Sequence, residues 1–199
     1  RLGYKVNIIS SSYSHLFKNF PKPGKEKIDG INYFWIKTFN YGKAYSKKRC
    51  LKWFLFSLKL FLLPFKLEKP DIIIVSSPSL FPVFPGWILA KFYKTKFIFE
   101  VRDIWPLTLV EIGNYSRNHL LIKLMKFFEL FALKKADLII SNLPNYGEYL
   151  KDNNVNKEFL WISNGIYLQE MEEIKPLPSE ITAKIPKNKF IVGYTGTIG

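Results

Sequence analysis

Four short runs in this chain, at 71–76, 96–101, 137–141 and 190–195, are largely apolar and lack the polar alternation of a strand with one wet face. Runs of this kind become strands when helices cover both of their faces, which is the usual state of a parallel sheet. Between and around them the pattern predicts helices at about 48–66, 80–94, 117–135 and 144–152, and further strands at 5–10, 31–37 and 158–162. Strand and helix in alternation predict an α/β fold built on a doubly wound, parallel, Rossmann-like sheet. Residues 11–30, with Pro21, Pro23 and Gly24 among lysines, predict a loop over the carboxyl edge of that sheet, and the proline-punctuated segment 170–188 predicts a linker between domains. Gly3 ahead of the first strand reads as a helix end, and the last strand runs into glycines, so the chain is expected to be a segment cut at both ends.

With 199 residues and 48% hydrophobic side chains the chain can fill a core, and a net charge of +14 calls for an anionic partner. Cys50 is the only cysteine, which excludes an intrachain disulfide and a cysteine-rich metal cluster. The basic residues lie among bulky apolar groups, without zinc-finger spacing, an RNP-like strand or a long Lys/Arg run, so nucleic acid is not the expected partner. An anionic membrane surface and a nucleotide-type substrate remain. The stretch 51–65 is almost wholly apolar yet shorter than the roughly 20 residues a spanning helix needs. Lys52, Lys59 and Lys66 fall seven apart, a spacing that lines them up on one side of a helix. That line predicts either an interfacial helix whose lysines reach headgroups, or a crossover helix with its lysines in water. In 117–135, apolar positions 121, 124, 125, 128, 131 and 132 have the spacing of a core-facing helix.

Phe97 to Pro106 carries the most chemistry. The strand is apolar until Glu100, then delivers Arg102, Asp103 and a Trp105-Pro106 stop at its carboxyl end, the edge where open α/β sheets bind ligands. Only four of the 30 basic residues are arginines, and the planar fork of Arg102 suits a phosphate or a carboxylate. Against a site role stands a local one, in which Arg102 and Asp103 pair with each other or cap the next helix. Ser76-Ser77-Pro78-Ser79 ends another strand, and its hydroxyls serve either an anion or an N-cap. Gly193, Gly196 and Gly199 form a weak phosphate-loop signal, and Asn164-Gly165 is a turn signal before it is a site signal. No HExxH, GxSxG or Cys/His ligand spacing occurs, and the two histidines, His15 and His119, fit solvated or capping roles.

Taken in order, Ser76-Ser77-Pro78, Phe99 to Pro106, Ala136 to Ser141, Ile162 to Ile166 and Gly193 to Gly199 resemble the amino-terminal half of bacterial group 1 glycosyltransferases of the GT-B fold. The branch this chain is most similar to is the WbuB-like enzymes of surface-polysaccharide assembly. The resemblance implies two Rossmann-like domains with the active site in the cleft between them, retention of anomeric configuration, and neither cofactor nor metal. It places an acceptor-side domain at 1–169, a linker at 170–188, and the first strand and glycine loop of the donor domain at 189–199.

Arg102 falls where many relatives carry a histidine near the reacting sugar, and Asp103 matches the aspartate beside it; these two are the candidate catalytic residues. Ser77, Glu100, Trp105, Asn164, Gly196 and Gly199 are the substrate-binding candidates, the last two matching the loop near the donor diphosphate. Relatives read Pro-Asn-Gly-Val-Asp at 163–167, whereas this chain ends that string on Tyr167, which cannot supply an acidic group. The expected partners are a nucleotide-sugar donor, a glycan or polyprenyl-linked acceptor and the anionic inner face of the cell membrane. The segment by itself is expected to be inactive. A sugar-nucleotide epimerase of the same fold and a basic membrane-associated binding module are the competing functions.

Overall fold

The structure is a computed structural model that describes residues 3–14, 17–41, 47–165, 168, 176–186 and 188–193. The chain divides into two compact units, Arg1–Ser163 and Asn164–Gly199. In the first, strands β1 (Asn7–Ser11), β2 (Gly24–Ile28) and β3 (Ile31–Ile36) form one hydrogen-bonded group, in the order β1-β3-β2. Strands β4 (Ile72–Ser76), β5 (Lys96–Val101), β6 (Leu138–Ser141) and β7 (Phe159–Trp161) form a second group in sequential order, all parallel. The helices are α1 (Lys47–Leu60), α2 (Val83–Tyr93), α3 (Leu107–Glu111), α4 (Leu120–Lys135) and α5 (Tyr146–Asp152). In the second unit, among the described residues, only α6 (Ser179–Thr182) is regular; residues 190–193 are not in a strand, and 194–199 lie outside the described residues.

Sequential parallel strands joined by right-handed crossovers place α2, α4 and α5 on one face of the β4–β7 sheet. The inward positions of β5, Phe97, Phe99 and Val101, are buried there with Leu80, Val83, Met125, Leu133 and Ile139. Gly86 lets α2 lie close on the sheet: a Cβ at that position would sit 2.5 Å from Cγ2 of Val75. Ile36, Leu60 and Leu89, packed with Ile9, Phe34 and Ile73, join α1, α2 and the two strand groups into a second core. The opposite sheet face is barer than the apolar runs predicted, since Ile72 and Ile74 are each more than half exposed.

Three further expectations need correction. Residues 24–30 are not loop: β2 and β3 form an antiparallel hairpin turned at Asp29-Gly30, where φ is +50° and +82°. Those angles are what a type I′ turn demands, and an Asp-Gly pair supplies them at low strain. The core-facing stripe of α4 is wider than the spacing predicted and loses one position: Leu121, Met125, Phe128, Phe131 and Ala132 pack on the core, joined by Ile122, Glu129 and Leu133, while Leu124 faces solvent.

The line of Lys52, Lys59 and Lys66 is broken at its first member, while Lys59 and Lys66 are exposed. Lys52 is 5% exposed; its ammonium donates to the Tyr13 carbonyl and sits 5.4 and 5.0 Å from the ring centres of Tyr13 and Tyr41. Burial, with Arg49 nearby, lowers its pKa to about 8. Lys59 donates to the Lys37 carbonyl at 2.7 Å. Leu51, Phe54, Leu55 and Leu58 of α1 are exposed, beside Lys59.

A buried polar network ties α4 to α5. Tyr149 donates to Glu129 Oε1 at 2.7 Å, and Lys126 lies 2.8 Å from the other carboxylate oxygen while donating to Tyr149 and Asn153. Desolvation pushes the Glu129 carboxyl up in spite of these partners.

Candidate functional site

The carboxyl ends of β4, β5 and β6 lie side by side, with Ser76 paired in register to Glu100 and Val101 to Ser141. Three serines organise this edge. Ser76 donates to the Glu100 carboxylate. Ser77 is 4% exposed, and its hydroxyl accepts from the main-chain N–H groups of Arg102 at 2.9 Å and Asp103 at 3.3 Å. Ser141 donates to the Val101 carbonyl at 2.7 Å and accepts from Leu143 N–H at 3.1 Å. The turn that leaves β5 is thereby held from both neighbouring strands, and hydrogen-bonded main chain of this kind is what fixes a functional side chain in place.

Held by their backbones, Arg102 and Asp103 point their charged groups elsewhere. Both are exposed, and neither side chain has a hydrogen-bond or ion-pair partner among the described residues. They do not pair with each other. Neither caps α3, whose N-cap position is Pro106 and lacks a side-chain bond. A guanidinium and a carboxylate on adjacent residues at this edge can hold an anion and orient a hydroxyl group.

The remaining candidates divide. Glu100 is half-buried and engaged by Ser76, and Ser77 holds the turn rather than facing solvent. Trp105 meets Trp53 of α1 edge-on, with ring centres 6.1 Å apart, and the Arg49 guanidinium lies 4.8 Å over the Trp53 ring. Sequence reasoning missed this Arg49–Trp53–Trp105 wall; the four-residue spacing of Arg49 and Trp53, one helical turn, was its only trace. Asn164 is exposed and belongs to the second unit, while Gly196 and Gly199 lie outside the described residues. The serines at 76–79 cap nothing, since α2 begins at Val83 behind Pro82. His119 is the N-cap of α4, accepting from Leu121 N–H at 3.2 Å; His15 lies outside the described residues. Among the described residues no cluster of three His, Cys, Asp or Glu side chains is arranged to hold a metal. A cleft of about 630 Å³ between β2, β3 and the turn after α1 is lined by Lys5, Lys25, Lys66 and Glu68, far from any candidate residue, and Lys5 and Glu68 pair with each other there.

The sequence model of Glycosyltransferase Family 4 matches residues 1–170. The chain belongs to that family. Family 4 membership makes the edge built by Ser76, Ser77 and Ser141 part of a glycosyltransferase. Among solved structures, a sucrose-phosphate synthase from Thermosynechococcus elongatus is similar in fold at TM-score 0.51 and 15% identity, over 85% of this chain and 81% of that one. The Family 4 chain thus has the Rossmann-like architecture of a GT-B amino-terminal domain. No curated protein matches it.

Proposed function

We propose that this chain is the acceptor-side part of a retaining, metal-independent glycosyltransferase of the WbuB-like branch. It moves a sugar from a nucleotide-sugar donor to a lipid-linked glycan in bacterial surface-polysaccharide assembly, at the inner face of the cell membrane. Residues 1–169 form the acceptor-side domain, 170–188 the linker, and 189–199 the start of the donor domain, with Gly196 and Gly199 toward the donor diphosphate and Asn164 toward substrate.

The observation that carries this is the pair of side chains, Arg102 and Asp103, that have no partner among the described residues and stand on a backbone held by Ser77. Transfer from a nucleotide diphosphate builds negative charge on the leaving phosphate, and a fixed guanidinium stabilises that charge where it develops. Asp103 orients the reacting sugar through a hydroxyl group. Trp105, which meets Trp53 edge-on, offers apolar ring surface of the kind that accommodates sugar rings. In the full-length enzyme, Asp103→Asn and Arg102→Lys lower turnover about 10-fold or more, roughly 1.4 kcal/mol, with the melting temperature unchanged. Wild-type turnover in both variants refutes the assignment.

A further inference from the structure

The apolar side chains that α1, α2 and α4 leave in water are not scattered. Phe54 and Leu58 of α1, Phe84 of α2, and Leu124 and Phe127 of α4 are all exposed, Phe127 by 61% and Leu58 by 47%. Aromatic contacts join Phe54, Phe84 and Phe127 across the three helices: Phe54 meets Phe81 at 6.4 Å, Phe81 meets Phe128 at 5.4 Å, Phe128 meets Phe127 at 5.5 Å, and Phe84 and Phe127 both meet Phe131, at 5.7 and 6.5 Å. Contiguous exposed apolar surface of this kind marks an interaction site.

Charge selects the occupant. The three helices carry ten basic residues and a single acidic one, Glu129, which is buried in its own network. A second copy of the chain seated on this face would bring lysines against lysines. An anionic lipid leaflet complements the same face, taking the apolar side chains below its headgroups and the lysines among them. Among the described residues no helix is long and apolar enough to cross a membrane, so the contact is peripheral.

We propose that the outward face of α1, α2 and α4 is a docking surface for an anionic membrane. The inference rests on the lipid-linked acceptor proposed above and adds which side of the fold meets the bilayer. The helices begin where strands end, so Phe84 and Leu124 lie toward the edge that carries Arg102 and Asp103. The contact of Trp53 with Trp105 brings α1 to that edge as well. A leaflet seated here runs beside the transfer site. Lys52 and Lys59 donate to the protein's own carbonyls, so the headgroups are met by other exposed lysines of these helices, such as Lys123 and Lys134.

The test is co-sedimentation of the chain with vesicles of equal parts phosphatidylglycerol and phosphatidylcholine, against vesicles of phosphatidylcholine alone, at low and high salt. Wild type binds the anionic vesicles, and salt weakens that binding. Leu58→Ser with Phe127→Ser lowers the partition about tenfold or more. Ile72→Thr with Ile74→Thr, equally exposed but on the opposite sheet face, leaves it unchanged. Unaltered binding by the Leu58/Phe127 variant, or an equal loss in the Ile72/Ile74 variant, overturns the proposal. A wild-type dimer that the Leu58/Phe127 variant dissolves also overturns it, in favour of a second copy. Vesicle binding needs no sugar transfer, so an enzyme that docks as described yet ignores lipid-linked acceptors supports the docking face and refutes only the acceptor.

Discussion

Ser77→Ala separates what the fold does at the β5 edge from what the exposed side chains do. The hydroxyl is buried and accepts from two main-chain donors, Arg102 N–H at 2.9 Å and Asp103 N–H at 3.3 Å. Alanine fills nearly the same space, so no cavity is created and the effect is that of the lost acceptor, together with a long 3.4 Å donation to the Asp103 carbonyl. One ordinary and one long hydrogen bond, each worth about 0.5–1.5 kcal/mol net, set the loss at about 1–2 kcal/mol. The Ser77 N–H bond to the Glu100 carbonyl, 2.9 Å, is untouched, so β4 and β5 stay in register. In urea the unfolding midpoint falls with unchanged slope, and on heating the transition drops by roughly 2–8 °C. In the full-length enzyme the freed turn lets Arg102 and Asp103 drift. Displacement of about 1 Å can lower rates by up to 100-fold, so kcat/KM falls about tenfold or more. A wild-type unfolding midpoint refutes the structural role assigned to the hydroxyl. A lowered midpoint with full turnover per folded molecule refutes the link between this turn and the chemistry.

Two further outcomes follow from packing and burial. Gly86→Ala forces a Cβ to within 2.5 Å of Val75 Cγ2, so α2 must shift off the sheet, and stability measured by urea unfolding falls by about 1–3 kcal/mol. Lys52 titrates at about 8 in the folded chain against 10.5 for the free side chain, so between those values the unfolded chain holds more protons. The contribution of Lys52 to stability is therefore complete above 10.5 and is lost as pH falls through 8. Urea midpoints of wild type relative to Lys52→Met rise across that window, and a flat difference refutes the burial of this ammonium.

The parallel sheet was legible because its evidence is local: Ile72 to Ser76, Lys96 to Val101 and Leu138 to Ser141 are short apolar runs, and each became a strand within a residue or two of its expected bounds. The hairpin was readable too, in Asp29-Gly30, but the prolines at 21 and 23 and the charges of Lys25, Glu26 and Lys27 masked it. An edge strand exposed on both faces looks polar, and β2, exposed from Lys25 to Ile28, is such a strand. The inward turn of Lys52 was not legible. Its spacing from Lys59 matched a solvated line, and only Tyr13 and Tyr41, distant in sequence, provide the carbonyl and rings that receive it. Arg102 and Asp103 were found because charges at a strand's carboxyl end are unusual; that their side chains have no partner among the described residues is visible only in the fold.

Lys52 and Arg102 both lie near the carboxyl edge, and their contrast separates charges that hold this fold from charges it leaves exposed. The Lys52 ammonium is received by a carbonyl and two rings, joining α1 to the segments that follow β1 and β3. Arg102 has the opposite arrangement: its main chain is fixed while its guanidinium has no partner among the described residues. An exposed unpaired charge adds little to stability, because water already solvates it. Rigid support beneath such a charge is what the role proposed for Arg102 in sugar transfer requires. Arg102→Gln consequently leaves thermal stability where it is, whereas Lys52→Met changes how stability depends on pH.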